Sequence, residues 1–290
     1  SETAMSPEPW KPRSSSVGYY FNCDYRAAYD RAIHEGVAAP EIRDAAAANE
    51  AKPKPHAALG TCIHFTIQDG IRATFPGDPL LFQPTPAEWE SAGDLVPGGS
   101  SAVPAHCVRV ARYGASLLPP GRRWLAETAW KTRNTRGSID LLTDDYEELW
   151  DIKTASRPPD HGRIKPAHLY QVMNYRNLVC DTLKRPVVQR GGILYLHAMG
   201  DWAVVAPFDF ASDAALELAD HTREYVKFLR SKKLYASAVP RLGAHCSTDF
   251  CPYTDICKNR FIPPAVETLY ARSSRKAPSV TSVADMLASR

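Results

Sequence analysis

The stretch GSIDLLTDDYEELWDIKTAS, residues 137–156, constrains the fold more than any other part of the chain. Two apolar runs flank a short polar turn, and this pattern is typical of two antiparallel strands. If DDYE is the loop of a hairpin, Thr143 pairs with Glu148, and this register places Asp140 directly opposite Asp151 on one face. Two carboxylates are therefore predicted to meet at the end of a hairpin.

The same hairpin places a lysine beside the two carboxylates. Because side chains alternate along a strand, Lys153 shares the face of Asp151, whereas Ile139 and Ile152 are predicted to point to the other side, into the core. A solvated charge cluster is the alternative, but the strands are otherwise apolar and desolvation makes an uncompensated carboxylate pair expensive. A divalent cation such as Mg²⁺ or Mn²⁺ removes the conflict and also meets phosphate oxygens. A neighbouring lysine then orients water or stabilises charge on phosphorus, so the stretch indicates phosphodiester hydrolysis.

The pattern along the chain predicts an α/β domain with a central mixed sheet flanked by helices. We predict strands at residues 127–132, 138–142 and 148–153 and in GGILYLHA and WAVVAPFD, and helices at 17–36, 57–73, 166–182 and 212–232, the last with Ser212 as N-cap. Residues 40–56 read as an Ala-rich connector. Residues 76–123, rich in proline and glycine, read as an irregular insertion around a helix-like run at 107–117.

Composition bounds the domain organisation and the surroundings of the protein. We expect a mobile tail over residues 1–16, a single domain over 17–262 and a second mobile tail over 263–290. The formal net charge of +3 permits a polyanionic partner without requiring one. The chain has neither an apolar run long enough to cross a bilayer nor an apolar signal core, so we expect a soluble cytoplasmic protein with no membrane partner.

Seven cysteines without an export signal argue against a disulfide framework. Three of them stand alone in apolar segments and are expected to be small buried hydrophobic residues: Cys62, Cys107 and Cys180. Three others crowd into the loop-like stretch HCSTDFCPYTDIC, where no core needs them: Cys246, Cys251 and Cys257. The second group is predicted to bind a metal.

A tetrahedral site needs a fourth ligand, and the candidates are His245, one of the lone cysteines, or Cys23. Cys23 is favoured because it sits on the predicted first helix in a polar niche beside Asn22 and Asp24, away from the apolar stripe. Zinc is the default for four thiolates, whereas gaps of four and five residues between the clustered cysteines fit a bulkier cluster. Spacing alone leaves both metals open.

Taken in order, these residues resemble a known family. The set formed by His64, Glu127, Asp140, Asp151, Lys153, Gln171 and Tyr175 is similar to the motifs of the RecB-type branch of PD-(D/E)XK nucleases. The four cysteines resemble those of its iron-sulfur members, which include the AddB nuclease domain and the four-cysteine CRISPR adaptation nucleases. The resemblance covers residues 17–260. It implies a restriction-endonuclease-like core and an iron-sulfur clasp that joins the N-terminal and C-terminal parts.

The resemblance also implies a role for each matching residue. His64, Asp140 and Asp151 would bind Mg²⁺ or Mn²⁺ together with the carbonyl of Ile152, and Lys153 would activate water. Two further residues, Gln171 and Tyr175, would contact DNA or support the lysine. Glu127 would either bind the metal through water or be a strand-end charge. A [4Fe-4S] cluster would be held by Cys23, Cys246, Cys251 and Cys257, with zinc as the alternative.

The function expected from these residues is that of a metal-dependent DNA exonuclease in recombination, repair or phage DNA processing. Its substrate would be DNA that is single-stranded or has free ends, and its protein partner a helicase, an annealing protein or a recombinase. Stacking of bases on Tyr170, Tyr175 and Trp202 would favour single strands. Two alternatives are a non-catalytic nucleic-acid-binding or scaffold module with a metal clasp, and a site-specific endonuclease.

Overall fold

The computed structural model describes residues 9–52, 54–74, 82–231, 234–235, 251–253 and 257. Its centre is a five-stranded sheet whose strands lie side by side in sequence order. β3 and β4 run parallel and the other neighbours are antiparallel. The mixed sheet expected from the sequence is therefore confirmed, with strands β1 (Trp124–Lys131), β2 (Arg136–Thr143), β3 (Glu148–Ala155), β4 (Arg190–His197) and β5 (Ala203–Asp209).

Helices cover both faces of this sheet, and two separate hydrophobic clusters fill the layers between. One cluster joins the sheet to α1, α7 and α8, and the other joins it to α4, α5 and α6. α7 connects β3 to β4, as a parallel strand pair requires. The helices are α1 (Ser14–Asn22), α2 (Asp24–His34), α3 (Pro40–Glu50), α4 (Pro55–Thr74), α5 (Pro86–Ala92), α6 (Val103–Ala115), α7 (Pro166–Leu183) and α8 (Asp213–Arg230).

Local signals set several of these boundaries. Ser212 caps α8 as predicted, because its hydroxyl accepts a hydrogen bond from the N–H of Ala215. α4, α7 and all five strands lie within a few residues of their predicted positions. Proline occupies the first turn of α3, α5, α6 and α7, where its missing N–H costs no helical hydrogen bond.

The N-terminal helices differ from the prediction. A single helix over residues 17–36 was wrong, because the chain is extended at Cys23, with φ −161° and ψ 109°, between α1 and α2. The break lets α1 lie against α7 while Asp24 of α2 accepts a hydrogen bond from Tyr225 of α8 at 2.7 Å. Residues 40–50, predicted as a connector, form α3. The region read as irregular contains α5 and α6.

The hairpin of β2 and β3 has the predicted register, with Leu141 opposite Trp150 and Leu142 opposite Leu149. The prediction that Ile139 and Ile152 share a face was wrong. Ile139 packs in the cluster under α7 and α8, and Ile152 packs in the cluster under α4 and α6. The alternation fails in β2 because its pairing with β1 is interrupted opposite Glu127, whose φ is +50°.

The folded part begins ahead of the predicted boundary at residue 17. Arg13 forms a parallel bridge with Arg136 at the start of β2, and α1 begins at Ser14, which is fully buried. Residues 1–8 and 258–290, which hold most of the two predicted tails, lie outside the described residues. Across the described part of the chain, no helix is long and apolar enough to cross a membrane.

Candidate active site

The two predicted aspartates lie where β2 and β3 separate. The ladder between these strands includes Leu141 opposite Trp150 but no pair of Asp140 with Asp151. Instead, Asp140 Oδ2 accepts a hydrogen bond from the N–H of Ile152 at 2.7 Å. A side-chain carboxylate thus binds the β3 backbone at the point where the strands diverge, and this opens the sheet beside Asp151.

Asp151, which is buried, and Lys153, which is partly exposed, form an ion pair in this opening. Lys153 Nζ lies 2.6 Å from Asp151 Oδ2, and Asp151 is only 1% exposed. Burial raises the pKa of Asp151 to about 6, since the charge of Lys153 lowers the pKa less than burial and the charge of Asp140 raise it. Ionisation of the Asp151 carboxyl is therefore costly unless a metal cation binds beside it.

α7 supplies the next contacts. Gln171 Nε2 donates to Asp151 Oδ1 at 3.1 Å and to Tyr175 Oη at 2.9 Å. Gln171 therefore contacts the Asp151 carboxylate directly. It is linked to Lys153 through that carboxylate. Tyr170 and Tyr175 are each 4% exposed, so the prediction that they stack on bases was wrong. Trp202 is half-buried and stacks on His197.

α4 brings two side chains to Asp140 from the opposite side of the sheet. His64 Nδ1 lies 3.8 Å from Asp140 Oδ2, and Gln68 Nε2 donates to Oδ1 at 3.4 Å. Burial and the charge of Lys153 lower the pKa of His64 to about 4, so this imidazole is neutral at pH 7 and can bind a metal. Sequence reasoning missed Gln68, although its position one turn after His64 was the available signal.

Glu127 lies beside Asp140 in the sheet, at the interruption of the β1–β2 ladder. Its backbone has the rare left-handed conformation noted above, and its Oε2 accepts a hydrogen bond from the N–H of Phe82 at 3.1 Å. A residue with a strained backbone is a common mark of a functional site. The Glu127 carboxylate therefore has a backbone hydrogen-bond partner, and Glu127 also lies near Asp140.

Two further side chains at this site had no sequence signal. Tyr195, the β4 partner of Lys153, is fully buried and accepts a hydrogen bond from the N–H of Lys165 at 3.1 Å. Its hydroxyl also lies 2.9 Å from Nδ1 of His168, in the first turn of α7. His168 precedes Gln171 by three residues, so both lie on one side of α7.

The donor set fits a divalent cation in its chemistry. Burial also raises the pKa of Asp140, against the lowering effects of Lys153, the Ile152 N–H and a hydrogen bond with the Asp151 carboxyl. Two contacting acidic groups that resist ionisation are the arrangement that a hard cation relieves. Among the described residues, however, no group of three or more His, Cys, Asp and Glu side chains is arranged to hold a metal as it stands.

The cysteines divide as the sequence predicted in one respect. Cys62, Cys107 and Cys180 are buried, and burial raises the pKa of Cys62 to about 11 and that of Cys107 to about 12. Of the predicted cluster ligands, Cys23 is buried between α1 and α2, while Cys251 and Cys257 are partly exposed. Cys246, and His245, which was the alternative to Cys23 as fourth ligand, lie outside the described residues.

Comparison with known proteins agrees with the fold. A family model described as the PD-(D/E)XK nuclease superfamily matches residues 15–258. The chain belongs to the PD-(D/E)XK nuclease superfamily, and this membership implies a nuclease. A search of curated proteins finds no match. A solved structure titled "Crystal structure of SSO0001" is 13% identical, with a TM-score of 0.46 over 89% of this chain and 91% of that chain.

Proposed function

We propose that this protein is an Mg²⁺- or Mn²⁺-dependent deoxyribonuclease that removes nucleotides from DNA ends. One observation carries the proposal: Asp140, Asp151 and Lys153 meet in the opening between β2 and β3, where burial raises the pKa of both carboxyls. Two such carboxylates with an adjacent ammonium are suited to phosphodiester hydrolysis.

In this proposal Asp140, Asp151 and the carbonyl of Ile152 hold the cation, and neutral His64 completes the protein ligands. When bound, the cation supplies Lewis-acid polarisation of the phosphate and favours ionisation of water. Burial lowers the pKa of Lys153, but the charges of Asp151 and Asp140 outweigh this effect and raise it overall. Lys153 therefore keeps its proton, orients the attacking water and stabilises the charge that develops on phosphorus.

The neighbouring side chains keep these groups in place. Gln171 bonds both Asp151 and Tyr175, so it fixes the carboxylate orientation from α7. Gln68 does the same for Asp140 from α4. We assign Glu127 a supporting position next to Asp140, where it contacts the cation through water or sets the local charge.

A cationic cleft supports DNA as the substrate. The cleft has a volume of about 750 Å³ and reaches Tyr175, which Gln171 links to Asp151. None of the described residues that line it carries a carboxylate: Arg13, Ser15, Ala129, Trp130, Lys131, Arg136, Gly137, Ser138 and Tyr175. Arg13 and Arg136 are bridge partners, so two like charges lie side by side. A phosphodiester backbone would relieve their repulsion.

The iron-sulfur clasp also remains a proposal, with Cys23, Cys246, Cys251 and Cys257 as ligands of a [4Fe-4S] cluster and zinc as the alternative. Cys257 Sγ lies 3.8 Å from Tyr29 Oη. Burial raises the pKa of Tyr29, and the Cys257 and Cys23 thiols raise it further. Both thiols therefore lie near this hydroxyl. Tyr253 Oη donates to Asp30 Oδ1 at 2.6 Å and binds the same segment to α2.

The activity is tested by release of acid-soluble nucleotides from linear and circular DNA with Mg²⁺ or Mn²⁺. We expect release from linear DNA alone, and loss of release with a chelator. Cleavage of circular DNA would instead support a site-specific endonuclease. DNA binding without cleavage under any of these conditions would support a non-catalytic module. A role in recombination, repair or phage DNA processing, with a helicase, annealing protein or recombinase, is proposed on the same basis.

A further inference from the structure

The hydrogen bonds around Tyr195 determine which nitrogen of His168 carries the proton. The Tyr195 oxygen accepts from the backbone N–H of Lys165 at 3.1 Å and lies 2.9 Å from His168 Nδ1. If Nδ1 carried a proton, the Tyr195 hydroxyl would accept two hydrogen bonds and donate none. Within the described part of the chain its hydroxyl meets no other acceptor, and a buried, unsatisfied O–H donor is costly. The Tyr195 hydroxyl therefore donates to Nδ1.

His168 is consequently a neutral imidazole with its proton on Nε2. Burial lowers its pKa to about 3, and the charges of Lys153 and Lys165 act in the same direction. The Tyr195 hydroxyl that donates to Nδ1 also disfavours a second proton on the ring. Nε2–H remains as a hydrogen-bond donor that has no acceptor among the described residues.

The backbone places His168 close to the lysine of the site. Tyr195 pairs in register with Lys153 in the parallel strands β4 and β3, so their side chains are neighbours on one face of the sheet. His168 shares its side of α7 with Gln171, which binds Asp151. The first turn of α7 is held by α1, because Gly18 packs against the backbone of Ala167 so closely that no Cβ fits.

We infer that His168 is a further catalytic residue whose Nε2–H donates a hydrogen bond to a non-bridging oxygen of the scissile phosphodiester, beside Lys153. The inference rests on the proposed function and adds a neutral donor to the ion-paired lysine. A neutral donor stabilises charge on the phosphate without adding a proton that the site must release. Because this donor is held in a fixed position, we expect it to stabilise the transition state rather than to strengthen substrate binding.

Three substitutions at one position test this role on linear single-stranded DNA. His168→Ala should lower kcat by about 10²- to 10³-fold with little change in KM, as loss of one fixed donor does elsewhere. His168→Gln should recover about a tenth of the wild-type rate, because its amide nitrogen reaches the place of Nε2. His168→Asn should not recover, since its amide reaches only the place of Nδ1. Equal rates for the Gln and Asn variants, or a loss confined to KM, would overturn the inference.

The tautomer is tested independently of activity, by ¹⁵N NMR of the histidines in the full chain. His168, assigned by its absence in His168→Gln, should stay neutral with Nε2–H between about pH 5 and pH 8. His106 is an internal reference, because Ala198 O accepts from its Nε2 at 2.7 Å. Tyr195→Phe removes the hydroxyl that donates to Nδ1, so the proton of His168 should no longer be confined to Nε2 in this variant. A protonated or Nδ1–H ring in wild type would refute the inference.

Inactive wild-type protein would refute the proposed function, whereas an active His168→Ala variant would refute only the role of His168.

Discussion

At the residue scale, Asp151 and Lys153 carry the chemistry that we propose. Asp151→Asn and Lys153→Ala should each abolish cleavage while the fold and DNA binding persist, because each removes a transition-state contact and little core packing. Nuclease assays, melting temperatures and binding by fluorescence anisotropy measure these effects. Asp144→Asn, at an exposed carboxylate on the turn of the same hairpin, is the control and should keep full activity. The site assignment would be wrong if either active-site variant retained about a tenth of wild-type turnover.

The raised pKa of Asp151 makes cation binding depend on pH. Its carboxyl is protonated below a pH of about 6 and must lose this proton before it binds Mn²⁺. We therefore expect Mn²⁺ affinity, measured by calorimetry, to fall as the pH decreases through about 6. An ordinary carboxylate would lose affinity only near pH 4. Constant affinity down to that pH would contradict the burial argument.

At the scale of elements, the packing of α1 on α7 is tested by two glycines. Gly18→Ala should destabilise the protein by about 1–3 kcal/mol, because the new Cβ would clash with the Ala167 carbonyl. It should also lower activity, since α7 carries His168 and Gln171. Gly70→Ala on α4 is the matched control, because a Cβ there meets no atom within 4 Å. It should stabilise by about 0.5–1 kcal/mol. Thermal unfolding of both variants decides; equal melting temperatures would refute the close packing.

The cationic cleft between the N-terminal segment and the β1–β2 pair predicts salt-dependent DNA binding. Affinity should fall log-linearly with added salt, and replacing both Arg13 and Arg136 by alanine should reduce the slope by about two. Alanine at both Arg43 and Arg112, exposed on α3 and α6, is the charge-matched control and should leave the slope unchanged. Equal slopes for the two double variants would exclude the cleft as the binding path.

At the scale of the whole molecule, the proposed clasp would join Cys23 to the C-terminal cysteines across almost the entire domain. Closing a loop of this length is worth about 5 kcal/mol, comparable with the net stability of a domain. Cys23→Ala and Cys257→Ala should therefore lose iron and lower the melting temperature, with activity reduced indirectly. Iron analysis and absorption spectra measure the cluster, and Cys62→Ala and Cys180→Ala should keep it. Colourless protein with one zinc per chain would make the clasp a zinc site.

The sequence by itself determined the parts of this protein whose signals are local. Strand periodicity, the DDYE turn and the Ser212 cap predict the five strands, the β2–β3 register and α8, because each signal lies within a few residues of its effect. The same register predicted the meeting of Asp140, Asp151 and Lys153. The break at Cys23 was not predictable in this way, since residues in α7 and α8 far along the chain decide where α1 and α2 pack.

Only the tertiary structure decided how the site is completed. Asp140 bonds the β3 backbone, and Gln68 reaches it across 72 residues of sequence, so neither contact follows from strand periodicity. Tyr195 and His168 lie 27 residues apart and meet only because β4 pairs with β3 and α7 crosses between them. The members of a hydrogen-bond chain are brought together by the fold. The sequence around Tyr195 or around His168 therefore does not indicate that the two side chains are partners. The carboxylates and lysine are therefore visible in the sequence, whereas the orientation of the groups around them is a property of the fold.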